Sequence, residues 1–432
     1  MLVERHPHCT LFVATALLAV VFSTGVNAGG LAIREQSASG QGMSFAGEGT
    51  SSMGLSAMFW NPAAVTQAQG FWSESHGALF FPHSTLSAEA GTSPALLAFG
   101  ADSGNIGQFA IIPSSYFAYR VNPNLYLGLA INAPFGSATE PDGIWAGSVY
   151  AHVAKVKSID VNPIIGWKFN DQWSVAFGPR ISYAYGGRFT RYLGPTPGDV
   201  AEVRGLDDIG FGFSAGITYT PSPFTEFALG YRSRLKLTLE GQQNIPSLGI
   251  NDASASGDVT VPDQINFGVR HRITDRFTLL GTVEWTNWSV LDNVPIDAPV
   301  PTTLTFNYRD GWFFSIGGEY QWTPQTTLRA GIAYEISPVE GQVRDTFLPD
   351  DDRWWFSAGL THQVNERWTV DLGYSFVWLG DSSVNIVPGH PDFPTVGLPL
   401  VASAETHNHI LSAALRYKWT LDAPPPGKII RK

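Results

Sequence analysis

Apolar and polar residues alternate along most of this chain from residue 71 onward. In residues 227–239 the odd positions are almost all apolar and the even positions are small or charged. A β-strand turns successive side chains to opposite faces, so this pattern predicts a strand with one apolar face. A soluble sandwich would show the same alternation with its apolar face turned to a core, so both interpretations stay open here.

A second alternating stretch, residues 368–378, favours a membrane. Its apolar face carries Trp at both ends, and Thr, Asp, Gly and Ser fill the other face. At about 3.3 Å per residue the apolar band is roughly as tall as a bilayer core. Aromatic residues at both interfaces are typical of transmembrane β-barrels.

Short polar breaks separate pairs of these strands and set the topology. They lie at residues 121–124, Asn170-Asp171, Pro221-Ser222-Pro223, Thr274-Asp275, Thr323-Pro324-Gln325 and Asn365-Glu366. Longer polar connections lie between them, at residues 191–207, 241–257, 291–303, 339–351 and 381–404. Short turns at one end and long loops at the other are typical of outer-membrane barrels, with the short turns in the periplasm.

The strand count is even. Residues 71–81, two strands from each of six hairpins, and residues 405–419 make fourteen strands. The sequence therefore predicts an all-β fold, a 14-stranded antiparallel transmembrane β-barrel spanning residues 71–419. The last strand ends in aromatic residues, as a signal for the barrel-assembly machinery would, and residues 420–432 are predicted to form a periplasmic tail.

Residues 29–70 precede the strands and are rich in glycine, with no sustained period of 2 or 3.6. Phe45, Leu55, Met58 and Trp60 make this segment too apolar for a solvated linker. Such a segment needs an interior to pack in. We therefore predict that it is an N-terminal hatch that plugs the barrel.

Residues 1–28 have the features of a signal peptide. Arg5 supplies the charge, residues 11–22 the apolar run, and Val26-Asn27-Ala28 a cleavage site. A membrane anchor is the alternative, but the run is about half the roughly 20 residues that a spanning helix needs. The only cysteine, Cys9, lies in this segment, so the mature chain is predicted to have no disulfide.

Charge and composition narrow the function classes. The formal net charge is −11 without any basic run, which argues against nucleic acid as a partner. Aromatic residues make up 13% of the chain, and no stretch after residue 28 approaches a spanning helix. A secreted chain of this kind is predicted to lie in the outer membrane of a Gram-negative bacterium, in contact with its lipid.

Catalytic chemistry has little support in the sequence. His390, His407 and His409 show no pairing with Ser or Cys at a known motif spacing. The acidic run of residues 350–352 could attract a divalent cation, but an exposed acidic loop is the favoured interpretation. We predict no enzyme activity, no metal site and no cofactor.

A proline and a glycine interrupt the third strand. Pro134 and Gly136 follow the apolar pattern of residues 125–133. Proline removes a ladder hydrogen bond, and an unsatisfied backbone group in lipid costs several kcal/mol. The interruption is either a bulge at the barrel rim or a functional kink.

Several motifs in fixed order carry a family resemblance. They are Asn61-Pro62-Ala63, residues 211–216, Tyr231-Arg232-Ser233, residues 285–289, residues 328–334, Ser337-Pro338-Val339, Pro349, Asp352-Arg353 and Ser357-Ala358-Gly359. With them the mature chain resembles the outer-membrane long-chain fatty-acid transporter family, which includes channels for aromatic hydrocarbons.

This resemblance implies that a hatch closes the barrel and that apolar substrates cross the outer membrane without ATP. Ligand would land in a groove among extracellular loops and pass to an interior site. It would leave sideways where the third strand kinks inward beside the Asn-Pro-Ala motif, which places the lateral opening at Ala133, Pro134, Phe135 and Gly136. The expected substrate is a long-chain fatty acid or a related hydrophobic compound, carried by a monomer. A monoaromatic or alkane channel, a general porin and an outer-membrane hydrolase are the alternatives.

Strand alternation turns many charged residues inward, including Arg234 and Lys236. Most of these charges could simply pair with one another across the lumen. Arginine binds carboxylates in bidentate fashion, so some could instead anchor a fatty acid. The candidate anchors are Arg329 and Arg353, followed by Arg180 and Arg188. Three aromatic residues, Phe313, Trp288 and Trp355, could line an alkyl or aromatic slot or wedge the hatch.

Overall fold

The structure, a computed structural model, describes residues 30–194 and 199–420. The predicted signal peptide, Cys9, Gly29 and residues 421–432 lie outside this part of the chain. The strands are β1 Phe71–Ala88, β2 Asp102–Asn105, β3 Ala110–Arg120, β4 Leu125–Asn132, β5 Gly136–Thr139, β6 Val153–Lys168, β7 Trp173–Tyr192, β8 Val200–Ser222, β9 Thr225–Arg232, β10 Leu235–Ile245, β11 Ile250–Val261, β12 Gln264–Arg272, β13 Phe277–Thr286, β14 Asn293–Asp297, β15 Thr302–Thr305, β16 Gly311–Gln321, β17 Thr326–Ile336, β18 Arg353–Gln363, β19 Trp368–Ile386 and β20 Leu400–Lys418.

The helices are short. Three are α-helical: α1 Ala38–Gln41, α2 Pro94–Leu97 and α3 Phe393–Val396. The 3₁₀ turns are Ser51–Phe59, Pro62–Gln67, Ala146–Val149, Pro246–Leu248 and Trp288–Val290. Within the described residues, no helix has both the length and the apolar character that crossing a membrane requires.

Fourteen strands close into one antiparallel barrel. Pairing runs in the order β1, β3, β4, β6, β7, β8, β9, β12, β13, β16, β17, β18, β19, β20. The strands β20 and β1 then pair antiparallel and close the ring. The predicted 14-stranded antiparallel barrel is confirmed.

The apolar faces point outward. On β19, Leu372 and Tyr374 are exposed on one face, whereas Asp371 and Ser375 are fully buried on the other. A soluble sandwich would show the reverse arrangement. An exposed apolar face is favourable only against lipid, so the barrel wall is a transmembrane wall.

One predicted strand reverses its faces. The strand β9 ends at Arg232 and β10 begins at Leu235, with Ser233 and Arg234 between them. Before this bulge Leu229 is exposed, and after it Leu235 is buried and Lys236 is exposed. The prediction of an uninterrupted strand over residues 227–239, with Arg234 and Lys236 turned inward, was wrong, because both side chains are exposed. Extra residues at a bulge invert the side-chain alternation that follows.

The six short turns lie where the sequence predicts them. In the turn before β7, for example, Asn170 Oδ1 accepts hydrogen bonds from the backbone N–H groups of Gln172 and Trp173, at 2.8 and 2.9 Å. Four of the five predicted long loops prove to be partly strand, because β7, β8, β10, β11, β14, β15, β19 and β20 extend into them. Residues 339–351 remain irregular.

The N-terminal segment, residues 30–70, fills the lumen. Nearly all of its side chains from residue 33 to residue 65 are buried. Its hydrogen bonds reach strands on every side of the ring: Ala38 N to His76 Nδ1, Gln41 Nε2 to Ile410 O, Ser44 Oγ to Ser357 Oγ, Glu48 N to Thr282 Oγ1, and Asn61 Nδ2 to Thr218 Oγ1.

Candidate ligand site and its connection to the barrel wall

A mostly apolar cavity lies among the long loops. Its volume is about 110 Å³. The apolar wall residues are Val153, Phe189, Val203, Leu206, Ile245, Ile296, Val300, Leu304 and Phe347. A concave apolar wall with a few polar groups is the usual form of a site for a hydrophobic ligand. We call it the loop cavity.

Three carboxyl groups, Glu202, Asp345 and Asp392, line the loop cavity. Burial raises the pKa of Asp392 to about 6. Burial, with the nearby charge of Asp392, raises the pKa of Asp345 well above its usual range. Backbone N–H groups of Phe347 and Leu348 donate to Asp345 Oδ1 at 3.0 and 2.8 Å, which favours the charged form but is outweighed by burial.

These raised pKa values predict that the folded loops around Asp345 and Asp392 are more stable in mild acid than at neutral pH. The folded loop binds protons more readily than the unfolded chain, so its stability falls as pH rises from about 4 through 6. We expect amide hydrogen exchange in residues 387–397, corrected for intrinsic rates, to be slower at pH 5 than at pH 7. The variant Asp392→Asn should lose most of this difference, and an unchanged pH dependence in that variant would contradict the assignment.

An apolar cluster connects the loop cavity with the barrel wall. It contains Val203, Leu206, Ile296 and Phe347 of the cavity together with Trp288, Phe306 and Tyr308. Leu31, Ala32 and Phe135 pack against the same cluster. Because Phe135 lies next to Pro134, unbroken apolar packing joins the cavity to the irregular part of the third barrel strand.

That strand is interrupted at Ala133, Pro134 and Phe135, between β4 and β5. The N-terminal segment supplies the missing partners: Ile33 N donates to Pro134 O, Gly136 N donates to Leu31 O, and Gln36 Nε2 donates to Ala133 O, at 2.8, 3.0 and 2.8 Å. Ser158 Oγ accepts a hydrogen bond from Phe135 N at 3.0 Å and donates one to Phe135 O at 2.7 Å. The broken backbone is therefore satisfied by other protein, as a break at membrane depth requires.

The interruption leaves a stretch without strand pairing in the wall, which we call the window. The strand β4 pairs with β3 only from Ser115 onward, and β5 forms a ladder only with β6. The window lies between residues 110–114 and 132–138, and a bridge between Gly107 and Thr139 closes it towards the loops. Behind it lies Gln36, whose carbonyl oxygen accepts hydrogen bonds from Ser114 Oγ and Tyr116 Oη, both at 2.9 Å.

The Asn-Pro-Ala motif anchors the lower part of the segment. Asn61 caps the 3₁₀ turn Pro62–Gln67 by accepting the N–H of Ala63 at 3.0 Å, and Pro62 occupies its first position. The side-chain amide nitrogen of Asn61 donates to Ile217 O and Thr218 Oγ1 on β8, at 3.2 and 3.0 Å. The motif thus contacts β8, and it is residues 31–36 that border the interrupted strand.

The first two arginine candidates lie in buried ion pairs. Arg329 donates to Glu319 Oε1 through Nε and Nη2, at 3.0 and 2.9 Å, and Asp371 lies 3.8 Å away. Arg353 pairs with Asp350 and lies 3.7 Å from Glu335. Asp350 Oδ2 also accepts the N–H of Gly30 at 3.0 Å, so this pair holds the start of the N-terminal segment.

The other two arginines differ in burial. Arg188 is half-exposed and pairs with Glu202 at 2.7 Å. Arg180 is buried, and its Nε and Nη2 both donate to Asp160 Oδ2, at 3.0 and 2.6 Å. Asp160 also binds Arg232 Nη2 at 2.9 Å, so one carboxylate serves two guanidinium groups.

The three aromatic candidates are buried and lie apart from the loop cavity lining. Phe313 lies under the Arg34 guanidinium at 3.6 Å, with its ring 6.3 Å from that of Trp355. Trp355 Nε1 donates to Glu335 Oε2 at 3.1 Å. Trp288 makes edge contacts with Phe135 and Tyr308, at 6.3 and 6.2 Å, so of the three it alone belongs to the cluster that leads to the window.

Two groups in the lumen were not among the sequence candidates. Arg34 of the N-terminal segment binds Glu48 at 2.6 Å and Glu284 at 2.5 Å. The pair of Asp160 and Arg232 completes the site of Arg180. Alternation marks Glu284 and Arg232 as inward, but no local signal shows which residue each would meet. Within the described chain, no group of three or more His, Cys, Asp or Glu side chains could hold a metal ion.

Comparison with known proteins matches this architecture. Residues 19–419 match the family model described as outer membrane protein transport protein (OMPP1/FadL/TodX). The chain is 28% identical over 426 residues to the long-chain fatty acid transport protein of Salmonella typhi, covering 90% of this chain and 96% of the relative. It is 24% identical over 410 residues to outer membrane protein P1 of Haemophilus influenzae, covering 84% and 88%.

Solved structures share the fold. A FadL homologue of Pseudomonas aeruginosa superimposes with a TM-score of 0.78 at 22% identity, covering 91% of this chain and 100% of that one. The toluene transporter TodX of P. putida gives a TM-score of 0.64 at 14% identity, with 89% and 99% covered. At these identities the likeness concerns the fold.

Proposed function

Because this chain belongs to the outer membrane protein transport protein family (OMPP1/FadL/TodX), we propose that it carries long-chain fatty acids into the outer membrane, from the loop cavity to the window. The protein is an outer-membrane transport barrel and not an enzyme. The proposal concerns the substrate, the route that it takes through the barrel and the roles of individual residues along that route.

The observation that carries the route is the apolar cluster between the loop cavity and Phe135. A hydrophobic molecule following it would stay out of water until it reached the window. An aqueous pore would instead expose the molecule to water at about 0.8 kcal/mol per CH₂ group. Sideways release into lipid avoids this cost and needs no energy source.

The N-terminal segment acts as a hatch in this scheme. Its partners surround it, and residues 31–36 supply the hydrogen bonds of the interrupted strand. A plugged barrel of this kind should be nearly silent in planar bilayers, whereas a general porin would conduct ions. We further propose that the protein works as a monomer, and that the barrel-assembly machinery inserts it.

The pairing of Arg180 and Arg232 with the single carboxylate of Asp160 favours fatty acids over hydrocarbons as the substrate. A fatty acid carries a carboxylate that a guanidinium group can bind, whereas an alkane or toluene carries none. The relatives named for long-chain fatty acids also align over nearly their full length. A monoaromatic or alkane channel remains the second candidate, because TodX has the same fold. Competition between oleate and toluene for the purified protein would separate the two.

A carboxylate placed in the apolar wall of the loop cavity should weaken ligand binding. Leu206 is buried in its wall, so Leu206→Asp would place a carboxylate against the acyl chain. We expect oleate affinity to fall at least about tenfold, since a buried unpaired charge costs several kcal/mol. Equilibrium binding of labelled oleate to the mature protein in detergent measures this.

The matched control is Leu248→Asp, at an exposed loop position outside the cavity lining, which should leave affinity unchanged. Unboiled and boiled gel mobility reports whether each barrel is folded. If folded Leu206→Asp protein binds oleate as the parent does, the loop cavity is not the ligand site. If the parent binds no oleate, the fatty-acid assignment fails.

A further inference from the structure

A second, smaller cavity lies behind the window. Its volume is about 30 Å³, enough for a carboxylate but not for an acyl chain. Pro134 and Phe135 form one side, and Arg180, Arg232 and Trp60 also line it. We call it the inner cavity. It is separate from the loop cavity and shares no lining residue with it.

Positive charge exceeds negative charge at Asp160. Arg180 and Arg232 both bind Asp160 Oδ2, at 2.6 and 2.9 Å, and all three side chains are buried. Among the described residues, Asp160 is the carboxylate within ion-pair distance of both guanidinium groups, and Glu284 acts on Arg232 only from farther away. Arg232 gives a further hydrogen bond to Phe59 O at 2.9 Å, and Arg180 gives one to Ser233 O at 2.9 Å, but carbonyl oxygens supply no compensating charge.

An unused donor lies in the same wall. Trp60 is fully buried, and its indole N–H has no acceptor among the described residues. Leaving such a donor unpaired costs about 1–3 kcal/mol, so an acceptor that reached the Trp60 N–H would be stabilised there. The surplus guanidinium and the free indole N–H both suit an anion with oxygen acceptors.

The remaining charged groups of the inner cavity are already paired. Arg34 is held by Glu48 and Glu284 at 2.6 and 2.5 Å. Glu335 accepts the indole N–H of Trp355 at 3.1 Å and lies 3.7 Å from Arg353. Neither group offers a free partner to a ligand or competes with Arg180 and Arg232 for Asp160.

We propose that the inner cavity binds the carboxylate of a fatty acid between Arg180, Arg232 and Trp60 while the chain lies towards the window. This rests on the proposed transport of fatty acids and adds a head-group site at the exit. The site favours acids over alcohols or hydrocarbons of equal length at that step, because only an anion meets the surplus charge.

Two measurements test this with the full mature protein. The first soaks crystals with 2-bromohexadecanoate and locates bromine by anomalous diffraction. We expect one peak in the loop cavity and a second beside Arg180 and Trp60. In Arg180→Met the second peak should vanish, whereas in Asp160→Asn it should strengthen because the competing carboxylate is gone.

The second measurement compares uptake of oleate and oleyl alcohol at limiting concentration by cells lacking their own transporter. Arg180→Met should slow oleate roughly tenfold, as loss of a charged hydrogen bond predicts, and leave oleyl alcohol within about twofold. Trp60→Phe should act in the same direction more weakly. Arg276→Met, which removes an exposed arginine in the turn between β12 and β13 and outside both cavities, is the control and should change neither.

The outcomes separate this inference from the proposed function. Bromine confined to the loop cavity in the parent and in Asp160→Asn, or equal slowing of oleate and oleyl alcohol, would overturn the head-group site alone. No bromine in either cavity, with no oleate uptake by the parent, would overturn the fatty-acid function itself. If Arg180→Met fails to fold, Asp160→Asn and Trp60→Phe decide, since their expected effects are opposite in sign.

Discussion

Replacing Gly230 with valine should expel the N-terminal segment from the barrel. A Cβ atom at Gly230 would overlap the carbonyl oxygen of Trp60, a backbone atom that cannot rotate away. The strand is held by ladders on both sides, to β8 and β12, so the segment is the part that yields. We expect a barrel that remains folded with an open lumen.

A cysteine reporter measures this directly. Ala57 is fully buried in the segment, and the only native cysteine, Cys9, lies in the predicted signal peptide. Ala57→Cys should resist a water-soluble maleimide in the parent and react readily together with Gly230→Val. Ion conductance in planar bilayers should rise in parallel.

Gly77→Val is the matched control. Gly77 also lies on a barrel strand, but a Cβ there meets no atom within 4 Å. This variant should keep Ala57→Cys protected and the bilayer silent. If Gly230→Val behaves in the same way, the segment can shift within the lumen without leaving it, and the fit at Gly230 does not hold the hatch.

Arg34→Met should release the N-terminal segment from the lumen, because it removes the positive charge that compensates buried carboxylates. The Arg34 guanidinium binds Glu48 and Glu284, lies 3.8 Å from Glu335 and stacks over Phe313. Without it, buried carboxylates on the segment and on the wall would face each other uncompensated. Removing one partner of a buried ion pair costs about 3–5 kcal/mol.

We expect Arg34→Met to make Ala57→Cys reactive and to speed amide exchange in residues 33–65. Adding Glu284→Gln should restore part of the protection, because it removes one of the stranded charges. Arg188→Met, which breaks a half-exposed pair with Glu202, should cost under about 1 kcal/mol. Full protection in Arg34→Met would mean that these carboxyl groups are held neutral by other means.

The barrel could be predicted from sequence because its signals are local. Each strand repeats with a period of two, and each short turn carries its own Asn, Pro or Thr. The interruption at Pro134 was also visible, since proline lacks the N–H that a ladder needs. None of these inferences required knowledge of a distant residue.

The contents of the lumen could not be predicted because its partners are far apart in the chain. Arg34 and Glu284 are separated by 250 residues, and alternation shows that Glu284 faces inward but not what it faces. The groups that satisfy the backbone of Ala133, Pro134 and Gly136 come from Leu31, Ile33 and Gln36, again far away in the chain. The inversion of faces at Ser233 could not be predicted because Leu235 and Leu237 keep the apolar residues at odd positions in the sequence.

The inversion of the exposed face at Ser233 also sets how deep the barrel lies in the membrane. Below it Leu229 faces acyl chains, and above it Lys236 projects from the same wall. Sinking the barrel would push the ammonium towards hydrocarbon, where lysine costs up to about 2–4 kcal/mol at the midplane, and lifting it would strand leucine in water. With its depth set in this way, Ile111 at the window stays level with Leu79 in the middle of the apolar belt. A molecule released there would enter the oily interior of the leaflet rather than its charged surface.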